Sequence, residues 1–184
     1  TRTLTTEVPT ENARHLSYDP AGDGLTFLTP PLHEAMEITG PLAARLTVSS
    51  ASTDADLFLA LRVFDADGKE VVFVGTNDPR TPVGLGWLRA SHRRLDPAKS
   101  TPTKPWHPHL EAEPMKPGTT YEFAIEIWPI CNVFKAGHPI RLEIAHSDSV
   151  IAASGRPHVT IKAKATNTIH EGGSRPSKLV VPVI

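Results

Sequence analysis

Apolar and polar residues trade places every second position in one short stretch after another along this chain, the pattern of half-buried β-strands. Ile140, Leu142 and Ile144 alternate with Arg141, Glu143 and Ala145. Tyr121, Phe123, Ile125 and Ile127 alternate with Glu122, Ala124, Glu126 and Trp128, and Val159, Ile161, Ala163 and Ala165 with Thr160, Lys162, Lys164 and Thr166. Leu42 to Ser50 carries Leu46 and Val48 in the same rhythm, Trp87 to Leu95 keeps its charges on one side, and Leu179 to Ile184 closes the chain. Leu57 to Phe64 is apolar on both faces apart from Arg62, as a strand covered on two sides would be.

Turn chemistry separates these stretches. Asp67-Gly68 predicts a hairpin leading into Val71-Val72-Phe73-Val74, and Ala136-Gly137-His138-Pro139 a turn before the strand at Ile140. His33 to Ile38 has room for a helical turn or so, and no segment sustains a period of 3.6 over about ten residues. The eighteen prolines, about twice the usual share, fall mostly between the apolar runs. The expected architecture is an all-β sandwich, a jelly roll with little helix.

With 184 residues, the chain suits one domain that buries roughly 70 % of its unfolded surface. Charged residues make up 21 % and nearly cancel to a net −1, so neither nucleic acid nor a membrane is an expected partner. Runs such as Leu57-Phe58-Leu59-Ala60-Leu61 are far too short to span a bilayer. The single cysteine, Cys131, excludes an internal disulfide, and its neighbours Trp128-Pro129-Ile130 suggest a buried apolar thiol. The chain begins at Thr1 with no signal-peptide pattern, as a processed form or a fragment would. That leaves the compartment open, with the cytoplasm favoured.

One stretch invites a search for a hydrolase site: VFKAGHPIRLEIAHSD, with His138, His146, Ser147 and Asp148. On a strand running through position 148, His146 and Asp148 share one face and Ser147 points to the other. Neighbours on a strand do not meet, so the contiguous His-Ser-Asp is not a triad. His107-Pro108-His109 with Glu113 offers two imidazoles and a carboxylate that would suit Zn, Mn or Fe, and it resembles the first motif of the metal-binding cupins. Pro108 removes a ladder donor, Thr101 stands where a cupin has glycine, and the second histidine motif is missing. A solvated loop is the simpler expectation for it, within the six-proline segment Asp96 to Gly118. Asp65 to Glu70 lacks the later ligands of a calcium loop and is explained by the hairpin. Arg89, His92, Arg93 and Arg94 read as a charged strand edge. No Gly-x-Ser-x-Gly elbow, Ser-x-x-Lys, His-Glu-x-x-His or phosphate loop occurs. The expectation is therefore no catalytic residue, no cofactor and no metal in this chain.

An ordered set of stretches carries a family resemblance. Phe27-Leu28-Thr29-Pro30-Pro31-Leu32 is followed by Glu37-Ile38-Thr39-Gly40-Pro41, Thr53-Asp54-Ala55-Asp56-Leu57, Gly86-Trp87-Leu88-Arg89-Ala90 and Lys116-Pro117-Gly118-Thr119-Thr120-Tyr121. Asn132 to His138 then runs into Ile140 to Ile144, and the chain ends in Asn167-Thr168-Ile169-His170 and Pro176 to Ile184. In this order, from about Tyr18 onward, the chain resembles the C-terminal non-catalytic domain of the X-Pro dipeptidyl-peptidase and cocaine-esterase (CocE/NonD) family of serine hydrolases. The resemblance implies a jelly-roll sandwich of the galactose-binding-like type, packed on an α/β-hydrolase domain of the same parent protein. That other domain would carry the Ser-His-Asp triad, leaving this chain inactive alone and His138 a structural residue of its turn. Pro139 replaces an arginine common in relatives, and the segment from Ser147 to Pro157 differs from theirs. The parent's substrate therefore stays open among ester, amide, antibiotic acyl group and X-Pro peptide.

These readings set the expectations. Residues 1–17 form a lead-in or linker and 18–184 the jelly roll. Leu25, Phe27 and Trp87 flank irregular segments and are candidates for contact with the catalytic domain, against ordinary core packing. A patch larger than that of a typical monomer should be exposed, and a homo-oligomer is possible. The alternative is a stand-alone carbohydrate- or ligand-binding module. It would want an exposed aromatic row, and Tyr18, Trp87, Trp106, Tyr121 and Trp128 show no such spacing.

Overall fold

The computed structural model describes residues 2–5, 14–18, 24–75, 79–146, 165–172 and 177–184. Its strands are β1 (Arg2–Thr5), β2 (Arg14–Tyr18), β3 (Leu25–Leu28), β4 (Met36–Ser50), β5 (Asp56–Val63), β6 (Gly84–Arg89), β7 (Thr120–Phe134), β8 (Ile140–Ala145), β9 (Asn167–Glu171) and β10 (Lys178–Val183). All pairings are antiparallel, in the order β1-β10-β4-β7-β6-β5-β8-β3, with β9 also on β4 and β2 on β9. The chain is thus all-β, of the jelly-roll sandwich type. Its helical content among the described residues is a single 3-10 turn, Ala90–His92.

The path folds over on itself between β6 and β7, whose pairing is the lone match Gly86↔Ile127. On one side lie β4, β7 and β10, on the other β5, β6 and β8. Their inward residues meet in one core: Leu42, Leu46 and Val48 of β4, Phe123, Ile125 and Ile127 of β7, Leu57, Leu59 and Leu61 of β5, and Ile140, Leu142 and Ile144 of β8. Each such side chain contributes roughly 1.5–3 kcal/mol by leaving water. The fold-over needs glycine. A Cβ on Gly86 would collide with the carbonyl oxygen of Glu126, and one on Gly84 would stand 3.0 Å from Cγ2 of Ile127.

Several strands differ from their expected form, each for a local reason. The bend at His33-Glu34 is not helical, and β4 begins at Met36, running through Gly40-Pro41 into the predicted stretch. It can do so because the register shifts there: Gly40 pairs with Ile130 and Leu42 with Ile127, so β7 carries one extra residue opposite Pro41. That bulge switches the inward parity of β7 from Phe123, Ile125 and Ile127 to Ile130 and Phe134. Cys131 consequently faces out and is exposed, not the buried thiol expected. Its neighbour across the ladder is Thr39, whose hydroxyl lies 3.4 Å from Sγ.

Trp87 to Leu95 is not one strand. It ends at Arg89, where the Asp54 carboxylate accepts from the Ser91 N–H at 2.8 Å and its hydroxyl at 2.7 Å and draws the chain into the 3-10 turn. The hairpin at Asp67-Gly68 forms as predicted, with Gly68 at φ 78° and Asp65 accepting from Lys69 N–H at 2.8 Å. Beyond the bridge Phe64↔Glu70, however, Val71 to Val74 forms no strand, only the bridge Phe73↔Thr81. Val72 and Val74 find no face to bury and stay exposed.

Residues 1–17, expected as a lead-in, carry β1, paired along β10, and most of β2, paired along β9. The strand expected over Val159 to Thr166 lies, up to Lys164, outside the described residues, as do Ser147 and Asp148. His146, just past β8, is buried.

The proline-rich segment is largely exposed, as a solvated loop would be, but its backbone is tied down. Backbone bonds tie Glu113 N–H to Ser91 O at 2.7 Å, Met115 N–H to Thr53 O at 2.7 Å and Gly118 N–H to Ser50 O at 2.8 Å. Met115 sits in the core, and Arg45 of β4 donates to Pro102 O at 3.1 Å. The segment is fastened over the outside of β4 and β7.

Candidate functional site

A groove of about 610 Å³ opens beside the β6–β7 corner. Its floor is the outward side of β5 and β6, where Phe58 pairs with Trp87 and Asp56 with Arg89. Arg89 grips the buried Asp56 carboxylate with two bonds, Nε at 2.8 Å and Nη2 at 3.1 Å, a planar fork that fixes this end of the floor. The β7 bulge supplies one wall. By adding a residue it turns Trp128 outward, so that its ring meets Trp87 edge-on at 5.0 Å between centroids. The fastened proline-rich segment supplies the other, with Trp106, His107 and His109. All three tryptophans of the chain line this one groove, and Trp128 is 57 % and Trp106 44 % exposed.

Three histidines crowd the rim. His92 and His109 have ring centroids 5.3 Å apart, and His107 and His109 5.8 Å. Both nitrogens of His107 face backbone carbonyls, Nδ1 that of Arg94 at 3.0 Å and Nε2 that of Ala124 at 2.8 Å. Carbonyls only accept, so a ring nitrogen that carries a proton donates to the carbonyl it faces, and the ring staples the segment onto β7. His109 has its pKa pushed below the ordinary 6.5, first by burial and then by His107 and His92. Its backbone sits at φ 53°, a left-handed conformation uncommon outside glycine.

The candidates from sequence separate here. Trp87 lies in the groove, outward of the core. Leu25 and Phe27 sit on the inner side of β3, packed against the core cluster. His107, His109 and Glu113 are not brought together as ligands: both ring nitrogens of His107 are taken up by carbonyls, and Glu113 lies 3.7 Å from Arg94 and 3.8 Å from Arg93. Among the described residues, no group of three or more His, Cys, Asp or Glu side chains could hold a metal ion. The basic cluster is likewise internal bracing. Arg89 holds Asp56, while Arg93 donates to Ala90 O and Glu113 O and stacks 4.4 Å from the Tyr121 ring. Tyr18 is buried in the core, which removes it from any exposed aromatic row.

Sequence reasoning missed the joining of Trp106 and Trp128 to Trp87. Two signals pointed that way: glycines at both inward positions of Gly84-Leu85-Gly86-Trp87, which mark a close approach, and Pro129 inside a strand pattern, which marks a bulge. It also missed Ser49, whose hydroxyl lies 2.9 Å from Nε2 of His170. That pair has both members of a Ser-His dyad. Ser49 is buried and lines neither the aromatic groove nor the smaller one near Pro30-Pro31.

A jelly-roll domain with core, corner and aromatic groove, and with no accessible catalytic group assembled among the described residues, is the class these observations define. The family model for the X-Pro dipeptidyl-peptidase C-terminal non-catalytic domain matches residues 1–180, and the chain belongs to that family. It is 28 % identical over 173 residues to the cocaine esterase of Rhodococcus sp. strain MB1 Bresler, a match covering 88 % of this chain and 26 % of that protein. Among solved structures it resembles a CocE/NonD family hydrolase from Staphylococcus aureus, with a TM-score of 0.89, 27 % identity, and 100 % of this chain against 36 % of that one. An aminopeptidase of a marine-sediment Thaumarchaeota archaeon shares the fold, at a TM-score of 0.68 and 16 % identity over 97 % of this chain and 34 % of its own. The chain therefore spans about a quarter to a third of the length of these relatives.

Proposed function

We propose that this chain is the accessory domain of a larger serine hydrolase, packing on an α/β-hydrolase catalytic domain of the same polypeptide and helping to shape its substrate cleft. The carrying observation is the non-catalytic family model over 1–180, set beside relatives of which this chain matches only 26 % and 36 %. The described residues support it: they assemble no nucleophile with an accessible cleft, and they leave a large aromatic surface beside the corner. In this reading the parent acts on an acyl ester, an amide or an X-Pro peptide, with its triad elsewhere in the polypeptide. Leu25 and Phe27 hold β3 to the core rather than line the groove, and Trp87 takes part directly.

The mass of the native protein, with peptide mapping upstream of Thr1, tests this. The expected result is a product well above 19.9 kDa with a Gly-x-Ser-x-Gly segment. A native chain that begins at or near Thr1 and has no longer form overturns it.

A further inference from the structure

We propose that the groove walled by Trp106 and Trp128 is the seat of the contact between this domain and the rest of its polypeptide, and that an apolar segment of the catalytic domain fills it. This rests on the accessory-domain reading above and adds which face is used, by which residues, and what they receive.

Water alone gives no reason for this arrangement. A tryptophan offers roughly 150–250 Å² of mostly apolar surface, yet Trp106 and Trp128 stand 44 % and 57 % exposed on neighbouring walls. Trp128 is held out by a bulge in the middle of a fifteen-residue strand, not by a frayed end. Trp106 is held by a segment whose carbonyls and amides are tied down on both sides, including Asp96 N–H to Trp106 O at 2.9 Å. Both rings are thus presented by rigid backbone, which lowers the entropy lost on binding. The floor is locked by the Asp56–Arg89 fork, and the rim is polar, with His92, His109 and Glu126. An aromatic centre with a polar rim is the anatomy of a protein contact, in which tryptophan dominates the binding energy.

The occupant follows from chain length. In the cocaine esterase and the staphylococcal hydrolase, the matched segment is 26 % and 36 % of the polypeptide. The remainder is tethered, at an effective concentration on the order of millimolar. A segment so placed outcompetes a second copy or a soluble ligand for the same groove.

The experiment is hydroxyl-radical footprinting of the native full-length protein, compared with the same protein denatured. Trp106 and Trp128 are expected to react at least about tenfold more slowly in the folded protein, as burial in a contact centre demands. Val74 and Leu110, 84 % and 86 % exposed, serve as internal references and change little. Trp128→Glu in the full-length chain is expected to split one thermal transition into two. A longer native protein in which Trp106 and Trp128 are protected no more than the references, each relative to its denatured rate, overturns the choice of face and leaves the accessory-domain reading standing. Protection that appears only on self-association assigns the groove to a second copy and overturns the named occupant. Absence of any longer native polypeptide overturns both proposals.

Discussion

The outward side of β5 carries two unlike neighbourhoods only a few residues apart. At its far end Arg62 donates through Nε to Glu143 at 2.9 Å and through Nη1 to Glu70 at 2.5 Å, Arg80 reaches Glu70 at 2.9 Å, and Arg141 pairs with Glu143. At its near end Asp56 is satisfied by Arg89, but Phe58 and Trp87 carry an aromatic floor up to Trp106 and Trp128. The first neighbourhood answers its own charges within the chain. The second keeps ring surface that nothing among the described residues covers fully. Under the contact proposed above, the ion-paired end would need no partner and the aromatic end would meet protein.

The largest expected effect tests the corner beneath the aromatic end. Gly86→Ala puts a Cβ into the Glu126 carbonyl oxygen, and overpacking of that kind should destabilise by about 3 kcal/mol. Thermal unfolding would read this as a drop of roughly 6–12 °C. An unchanged midpoint would mean that the two halves do not approach at Gly86.

Next comes the charged end. Arg62 is 15 % exposed and faces two carboxylates. Arg62→Met should cost about 2 kcal/mol, chiefly from leaving Glu70 and Glu143 with weaker partners. Chemical denaturation of both forms checks it, and a loss below the error of the fit would make the ion pairs ornamental.

The two ends also titrate in different windows. Burial raises the Glu70 pKa, but hydrogen bonds and charge from Arg62 and Arg80 outweigh it and hold the group below its ordinary 4.5. A carboxyl depressed in the folded state contributes stability above its unfolded pKa and loses it as pH falls through the folded value. His109 is depressed below 6.5, so the unfolded chain takes up that proton first, and stability falls as pH drops from about 6.5. Unfolding free energies measured from pH 8 to pH 3 should show the slope below 6.5 flattened in His109→Asn and the slope below 4.5 flattened in Glu70→Gln. Parallel curves for variant and parent would remove either group from the account.

The smallest effect belongs to Trp128. Trp128→Ser gives up the edge contact with Trp87 and little else within the chain, so the loss should stay below about 1 kcal/mol. A much larger loss would show that the ring belongs to the domain's own packing rather than to a contact.

Much of the fold was legible because a strand's period is local. The alternations around Leu46, Phe123 and Leu142 each name a buried face without reference to any other strand, and the Asp67-Gly68 turn was readable from two residues. The exposure of Cys131 was not read, because the parity of β7 changes at a bulge, hinted at locally only by Pro129, whose register is fixed by pairing with β4. Nor was the fate of Val71 to Val74, whose apolar pattern promised a strand that no second face completes.

By itself, the sequence determined that this is an all-β chain with no recognisable catalytic motif, and its ordered motifs pointed to an accessory domain of the CocE/NonD type. Only the tertiary structure decided that Trp87, Trp106 and Trp128 share a groove, that Leu25 and Phe27 turn inward, and that His107 spends both nitrogens on carbonyls. The physical reason is range. Periodicity and turn chemistry act between residues a few positions apart, whereas the groove depends on a bulge, a fold-over at Gly86 and a fastened segment, each set by contacts between residues far apart in the chain.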